Sequence, residues 1–168
     1  MFSQIIEKNS DGYLKYGIEA FAVITTINDK KDLGSNQTLI EIKDTTDNDF
    51  KTTTPEVSIV AKAKNGKEIS INESFANDMI SNKNTKTMPH EAGHTAGLRH
   101  PYHDFNSYLL GLFTTHGETA NSLASNFMRQ GAINSPTGPT KAQMERMYRI
   151  YKSGGLNKRT GTHPVDQK

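Results

Sequence analysis

The sequence predicts an α+β domain, and three observations carry that prediction. Strand-like runs fill the first half of the chain, a short helix-compatible segment follows, and a capped amphipathic helix closes the patterned part. The length of 168 residues, with 33% apolar, is enough for one small core.

Ala20 to Ile27 is a β-branched and aromatic run, and Thr38 to Lys43 alternates apolar with polar. Between them, Asn28 to Asn36 is rich in turn residues. Val57 to Lys64 and Lys67 to Asn72 are two further runs joined by Asn65-Gly66. That dipeptide favours the tight hairpin turn whose two central residues both need positive φ. A small sheet of about four strands is therefore expected ahead of the first helix.

After Ser74 the chain turns polar until the first helix begins, and Pro89 limits where that can be. Proline has no amide hydrogen and fits only a first turn, so the start falls between Thr85 and Pro89. Further on, Thr140 and Gln143 fit a capping box, Met144, Met147, Tyr148 and Tyr151 follow at helical spacing as a core stripe, and Gly154 is the stop. Residues 1–154 read as a single domain and residues 155–168 as a loose tail.

The chemistry concentrates in His90-Glu91-Ala92-Gly93-His94-Thr95-Ala96-Gly97-Leu98-Arg99-His100, which fits H-E-x-x-H-x-x-G-x-x-H at every fixed position. Residues four apart on a helix share one face, so His90 and His94 can reach one ion, with Glu91 beside them. A third ligand has to approach from another direction, which requires the helix to stop. Gly97 can adopt the left-handed conformation that ends helices and turns His100 back, and Pro101 biases His100 toward an extended conformation. The run reads as a three-histidine zinc site, His90, His94 and His100, with Glu91 as general base.

This run resembles the zinc-binding signature of the metzincin metallopeptidases, and Ser125-Asn126-Phe127-Met128 resembles the methionine turn that lies beneath the metal in that family. The resemblance covers roughly residues 20–153. It implies a metzincin-like zincin with a small twisted mixed sheet, a short zinc helix, a Met-turn containing Met128 and a final helix. It also implies one catalytic Zn2+ and a protein or peptide substrate. Gln130 stands where some members carry a tyrosine ligand, so three protein ligands plus water are expected. The family's edge strand pairs with extended substrate, and Lys67 to Asn72, with Ile69, Ser70 and Ile71, is the candidate. Replacing Ser70 by proline is then expected to raise KM more than it perturbs folding.

The expected reaction is peptide-bond hydrolysis without a covalent intermediate, with Glu91 moving the proton. A non-catalytic zinc-binding module, structural or protein-binding, is the alternative. Structural zinc normally has four protein ligands, and three are evident. A scheme with Glu118 as third ligand near His116 is the weaker one, because Gly97 and His100 already solve the geometry.

Other features exclude more than they assign. The formal net charge of +2 comes without a clustered Lys/Arg stripe, so nucleic acid is not an expected partner, and Asn157 to Arg159 reads as a solvated basic end. No stretch is apolar enough to span a bilayer, and Met1 to Ser10 lacks a signal peptide's apolar core. Export by another route, or release from a larger polypeptide such as a secreted toxin, is the expectation. The chain has no cysteine, which removes disulfides, thiolate ligands and a cysteine nucleophile together. His103 and Asp104 read as a solvated loop, and His163 as an inert tail residue.

Overall fold

The structure is a computed structural model, and it describes residues 23–35, 37–54, 57–100, 125–129 and 136–160. Three strands, β1 (Leu39–Lys43), β2 (Ala61–Lys64) and β3 (Glu68–Asn72), are followed by three helices, α1 (Glu73–Ile80), α2 (Thr87–Thr95) and α3 (Lys141–Lys152). Short 3-10 turns lie at Lys30–Asp32 and Asn48–Phe50. The class is α+β, as expected, but α1 is not expected: it fills the start of the stretch that reads as polar and without a helix, and Asn72 caps it.

The sheet has the order β1-β3-β2, with β1 parallel to β3 and β2 antiparallel to it. It is thus a mixed, open sheet. The β2–β3 hairpin turns through Asn65 (φ 54°) and Gly66 (φ 71°), both in the left-handed region that the Asn-Gly pair predicts. Gly66 has a second reason to lack a side chain, because a Cβ there would run into the backbone of Arg159.

The sheet has three strands among the described residues where about four were expected. In the run from Ala20 to Ile27, residues 20–22 lie outside the described part and residues 23–27 form no strand. Val23 and Ile24 are 88% and 85% exposed. Strand propensity forms a strand only where a ladder partner exists, and no described segment offers one to this run. The run from Val57 is shortened for a similar reason. Asn72 ends β3 by capping α1, its Oδ1 accepting the Ser74 amide at 3.1 Å. Beyond the bond from the Asn72 amide to the Val60 carbonyl, β3 has nothing left to pair with Val57 and Ser58.

The expected edge strand is corrected more sharply. β3, which carries Ile69, Ser70 and Ile71, is paired on both sides and is the centre of the sheet. All three side chains are buried. A proline at Ser70 would break the ladder and the fold, so that substitution is no probe of substrate binding. The edge beside α2 is β2.

Alternation along β3 separates two environments. Ile69 and Ile71 lie on one face, and Ser70 points to the other, where its Oγ donates to Asp49 at 2.8 Å. Lys43 from β1 and Lys64 from β2 also pair with Asp49, so one carboxylate ties all three strands together. Helices α1 and α2 pack against the sheet, α2 chiefly against β2.

Leu98, Phe127 and Met128 form a buried cluster, joined by Met147 of α3. The capping box of α3 is present as predicted, with Thr140 and Gln143 bonding each other's backbone reciprocally. Its buried face, however, is Gln143, Met144, Arg146 and Ile150. Tyr151, expected in the stripe, is 65% exposed although it shares the helix face of Met144 and Met147; it stands in the last turn of α3. The segment after α3 is also less loose than expected. Gly154 (φ 66°) opens a Schellman-type stop in which the Gly155 amide bonds the Ile150 carbonyl at 2.8 Å. The Asn157 amide then reaches the Thr95 carbonyl at 3.3 Å, and Arg159 lies over Gly66. The chain therefore stays attached to the domain past residue 154. Among the described residues, no helix is long and apolar enough to cross a membrane.

Candidate metal centre

Helix α2 begins at Thr87, inside the predicted window, with Pro89 in its first turn. Asn84 Oδ1 accepts the Thr87 amide at 3.1 Å and so occupies one of the first-turn donors. The helix ends as Gly97 requires. Gly97 sits at φ 86°, its amide bonds the His94 carbonyl at 3.0 Å, and the Leu98 amide bonds the Gly93 carbonyl at 2.8 Å. These two bonds define a Schellman motif, and the fully buried Leu98 anchors it. The chain leaves the motif in the direction that returns His100 to the face of His90 and His94.

The three imidazoles converge on their Nε2 atoms. His100 Nε2 lies 3.0 Å from His90 Nε2 and 3.1 Å from His94 Nε2. Both helix histidines are oriented from behind: His90 Nδ1 donates to the Phe127 carbonyl at 2.8 Å and His94 Nδ1 to the Leu98 carbonyl at 2.9 Å. A neutral imidazole that donates from Nδ1 presents a lone pair at Nε2. Two lone pairs are thus aimed at one place, beside a third ring nitrogen. Nitrogen ligands of a tetrahedral ion at about 2.0–2.1 Å stand roughly 3.3 Å apart, close to the observed spacing. The group His90, His94 and His100 can hold a metal ion.

Burial pushes the His90 ring down to about 4, with the Phe127 carbonyl opposing and nearby His94 and Lys86 adding to the shift. It is neutral at pH 7, the form a ligand needs. Glu91 is also buried, and burial pushes its carboxyl up to about 7, with the Ala63 amide and Lys86 opposing. The Ala63 amide donates to Glu91 Oε2 at 2.7 Å, which ties the carboxylate to β2.

That contact fixes which way β2 faces. Val60 and Lys62 turn their backbone groups toward β3, so Ala61 and Ala63 turn theirs away from it. The Ala63 amide is taken by Glu91, whereas the Ala61 amide and carbonyl border a cleft of about 830 Å³. The cleft is lined by Val57–Ala63, by Lys83–Thr87, and by Glu91 with the three histidines.

Met128 packs against α2. It is fully buried, and a Cβ on Gly93 would strike its Sδ and come within 3.1 Å of the Phe127 ring. Asn126 shapes the turn: its Oδ1 accepts the Met128 amide at 3.0 Å, and its carbonyl accepts the Arg129 amide at 2.9 Å. Pro101, His103, Asp104, His116, Glu118, Gln130 and His163 lie outside the described residues.

Several contributors escape a reading of the sequence. Ala63 acts through its backbone, and Asn126 is bonded to Gln143 far along the chain, so neither leaves a local signature. Gly93 does leave one. A glycine inside a helix costs about 1 kcal/mol against alanine, so its presence signals close packing over that position. No protein-family profile, curated protein or solved structure matches the chain.

Proposed function

We propose that the chain is a zinc-dependent endopeptidase of the metzincin kind. The observation that supports this best is the convergence of three Nε2 atoms next to a buried carboxylate, at the foot of an edge strand that borders a cleft. Neutral nitrogen donors suit zinc, and three protein ligands are the number typical of its catalytic sites. Bound there, zinc supplies Lewis acidity toward a peptide carbonyl and an attacking water.

The chain's own residues do the rest. Glu91 accepts a proton as its carboxylate, the form that a bound cation would favour against the effect of burial. Glu91 takes the proton of the attacking water and passes it to the departing amine. The Ala63 amide holds the Glu91 carboxylate in place for both transfers. An extended substrate adds to β2 through the Ala61 amide and carbonyl, which places its backbone along the cleft.

One observation favours a second reading, the non-catalytic zinc module. Because Glu91 bonds the Ala63 amide, it would have a structural use without catalysis. Incubating the zinc-loaded protein with a diverse peptide library decides between them. Cleavage that falls about 100-fold or more in Glu91→Gln supports the peptidase, since glutamine keeps an acceptor for Ala63 but is no base. Tight zinc binding with no cleavage supports the module, and cleavage unchanged by Glu91→Gln overturns the role given to Glu91.

A further inference from the structure

Arg146, in the middle of α3, is 2% exposed, and its Nε donates to the Gly97 carbonyl at 2.9 Å. Burying a guanidinium is costly, and the neighbouring Arg99 and Arg149 increase that cost. Burial and those two cations together push Arg146 down to about 10. A leucine or methionine would fill the same space without the desolvation, so the position of the guanidinium's target matters.

One target is the Gly97 carbonyl, in the turn between α2 and the third histidine. The Gly97 amide is already bonded to the His94 carbonyl, and the Leu98 carbonyl accepts from His94 Nδ1. With Arg146 holding the Gly97 carbonyl, the backbone is fixed on both sides of the Gly97–Leu98 peptide, immediately before Arg99-His100. Left-handed glycine is the most pliable point of this path, because it has no side chain to restrict its torsions. The bond from α3 joins the Gly97 and Leu98 amide bonds of the Schellman motif in limiting that freedom, at the point where it would misplace His100.

We propose that Arg146 is a positioning residue for the metal centre, acting through Gly97 to set the place of His100. The inference rests on reading His90, His94 and His100 as metal ligands. It predicts a particular non-additivity: Arg146 matters for metal affinity only while His100 is there to be positioned.

The test is a zinc titration of the metal-free protein against a chromophoric chelator, supported by the visible spectrum of the cobalt-loaded form. Four proteins form a cycle: wild type, Arg146→Met, His100→Ala and the double variant. Arg146→Met is expected to weaken zinc binding about 10- to 100-fold, the range seen when a group that orients a ligand is lost. In the His100→Ala background the same change is expected to do nothing further, and Arg146→Lys, which keeps a donor, is expected to recover most of the affinity. The cobalt spectrum of Arg146→Met should move toward that of His100→Ala.

Equal losses in both backgrounds would assign Arg146 a merely structural role and overturn the proposal. Unchanged affinity in Arg146→Met would overturn it as well, with the metal site left standing. If the wild type bound neither zinc nor cobalt, the metal-centre reading itself would fall and this inference with it. Should Arg146→Met fail to fold by circular dichroism, Arg146→Leu, which likewise has no donor, takes its place in the same cycle.

Discussion

Asn126 and Gln143 bind each other through a closed pair of amide hydrogen bonds: Nδ2 of one donates to Oε1 of the other at 3.0 Å, and Nε2 returns to Oδ1 at 3.0 Å. Both are fully buried, and both have further duties. Asn126 Oδ1 also accepts the Met128 amide, and Gln143 Oε1 accepts the Thr140 amide that starts α3. The methionine turn and the last helix are therefore one polar unit. Asn126→Ala should cost on the order of 2–4 kcal/mol, since it strands buried donors and acceptors on both sides. Urea denaturation gives the value, and Asn126→Ala with Gln143→Leu should cost less than the two single changes summed.

Gly93→Ala should destabilise the protein despite the better helix propensity of alanine. The gain is about 1 kcal/mol, whereas overpacking of this kind costs about 1–3 kcal/mol and here also displaces Met128. Adding Met128→Ala makes room and should leave the Gly93→Ala step neutral or stabilising. Thermal unfolding of the four proteins tests this, and equal effects of Gly93→Ala in both backgrounds would refute it.

Asp49 should make the fold sensitive to acid. The ammonium groups of Lys43 and Lys64, helped by the Ser70 hydroxyl and opposed by burial, hold its carboxyl well below the usual carboxylate range. A depressed acid binds fewer protons folded than unfolded, so its stabilisation is complete above the unfolded value of 3.8 and is lost as the pH falls further. Denaturation midpoints measured from pH 5.5 downward should drop in the wild type below about pH 4, with a shallower drop in Asp49→Asn.

Ala61→Pro should separate binding from folding. The Ala61 amide faces away from β3 and opens β2, a place where proline is tolerated on an edge strand. Under the peptidase reading, KM should rise with little change in kcat or in the unfolding midpoint. Unaltered kinetics in a folded variant would remove β2 from substrate binding.

The parts that a reading of the sequence captured are the ones governed by neighbours in the chain. Asn65-Gly66, Gly97, the Thr140–Gln143 box and the placement of Pro89 each rest on local backbone chemistry, and the structure follows all four. Which strand lies at the edge depends instead on pairing with β1, which the pattern of Lys67 to Asn72 does not encode. Nor does propensity show that Val23 to Ile27 lack a partner. The supports of the metal centre are equally remote: Phe127 orients His90, Ala63 holds Glu91, and Arg146 holds Gly97.

The carbonyl of Phe127 has a consequence for synthesis. A ribosome makes the three histidines before it makes the residue that orients His90, and α3, to which the turn of Asn126 is bonded, comes later still. A nascent chain that has just exposed His100 has ligands with no scaffold behind them. Under the metal-centre reading, released chains truncated after residue 120 should capture zinc only weakly and the 168-residue chain should capture it tightly, so that metal capture would follow the synthesis of α3.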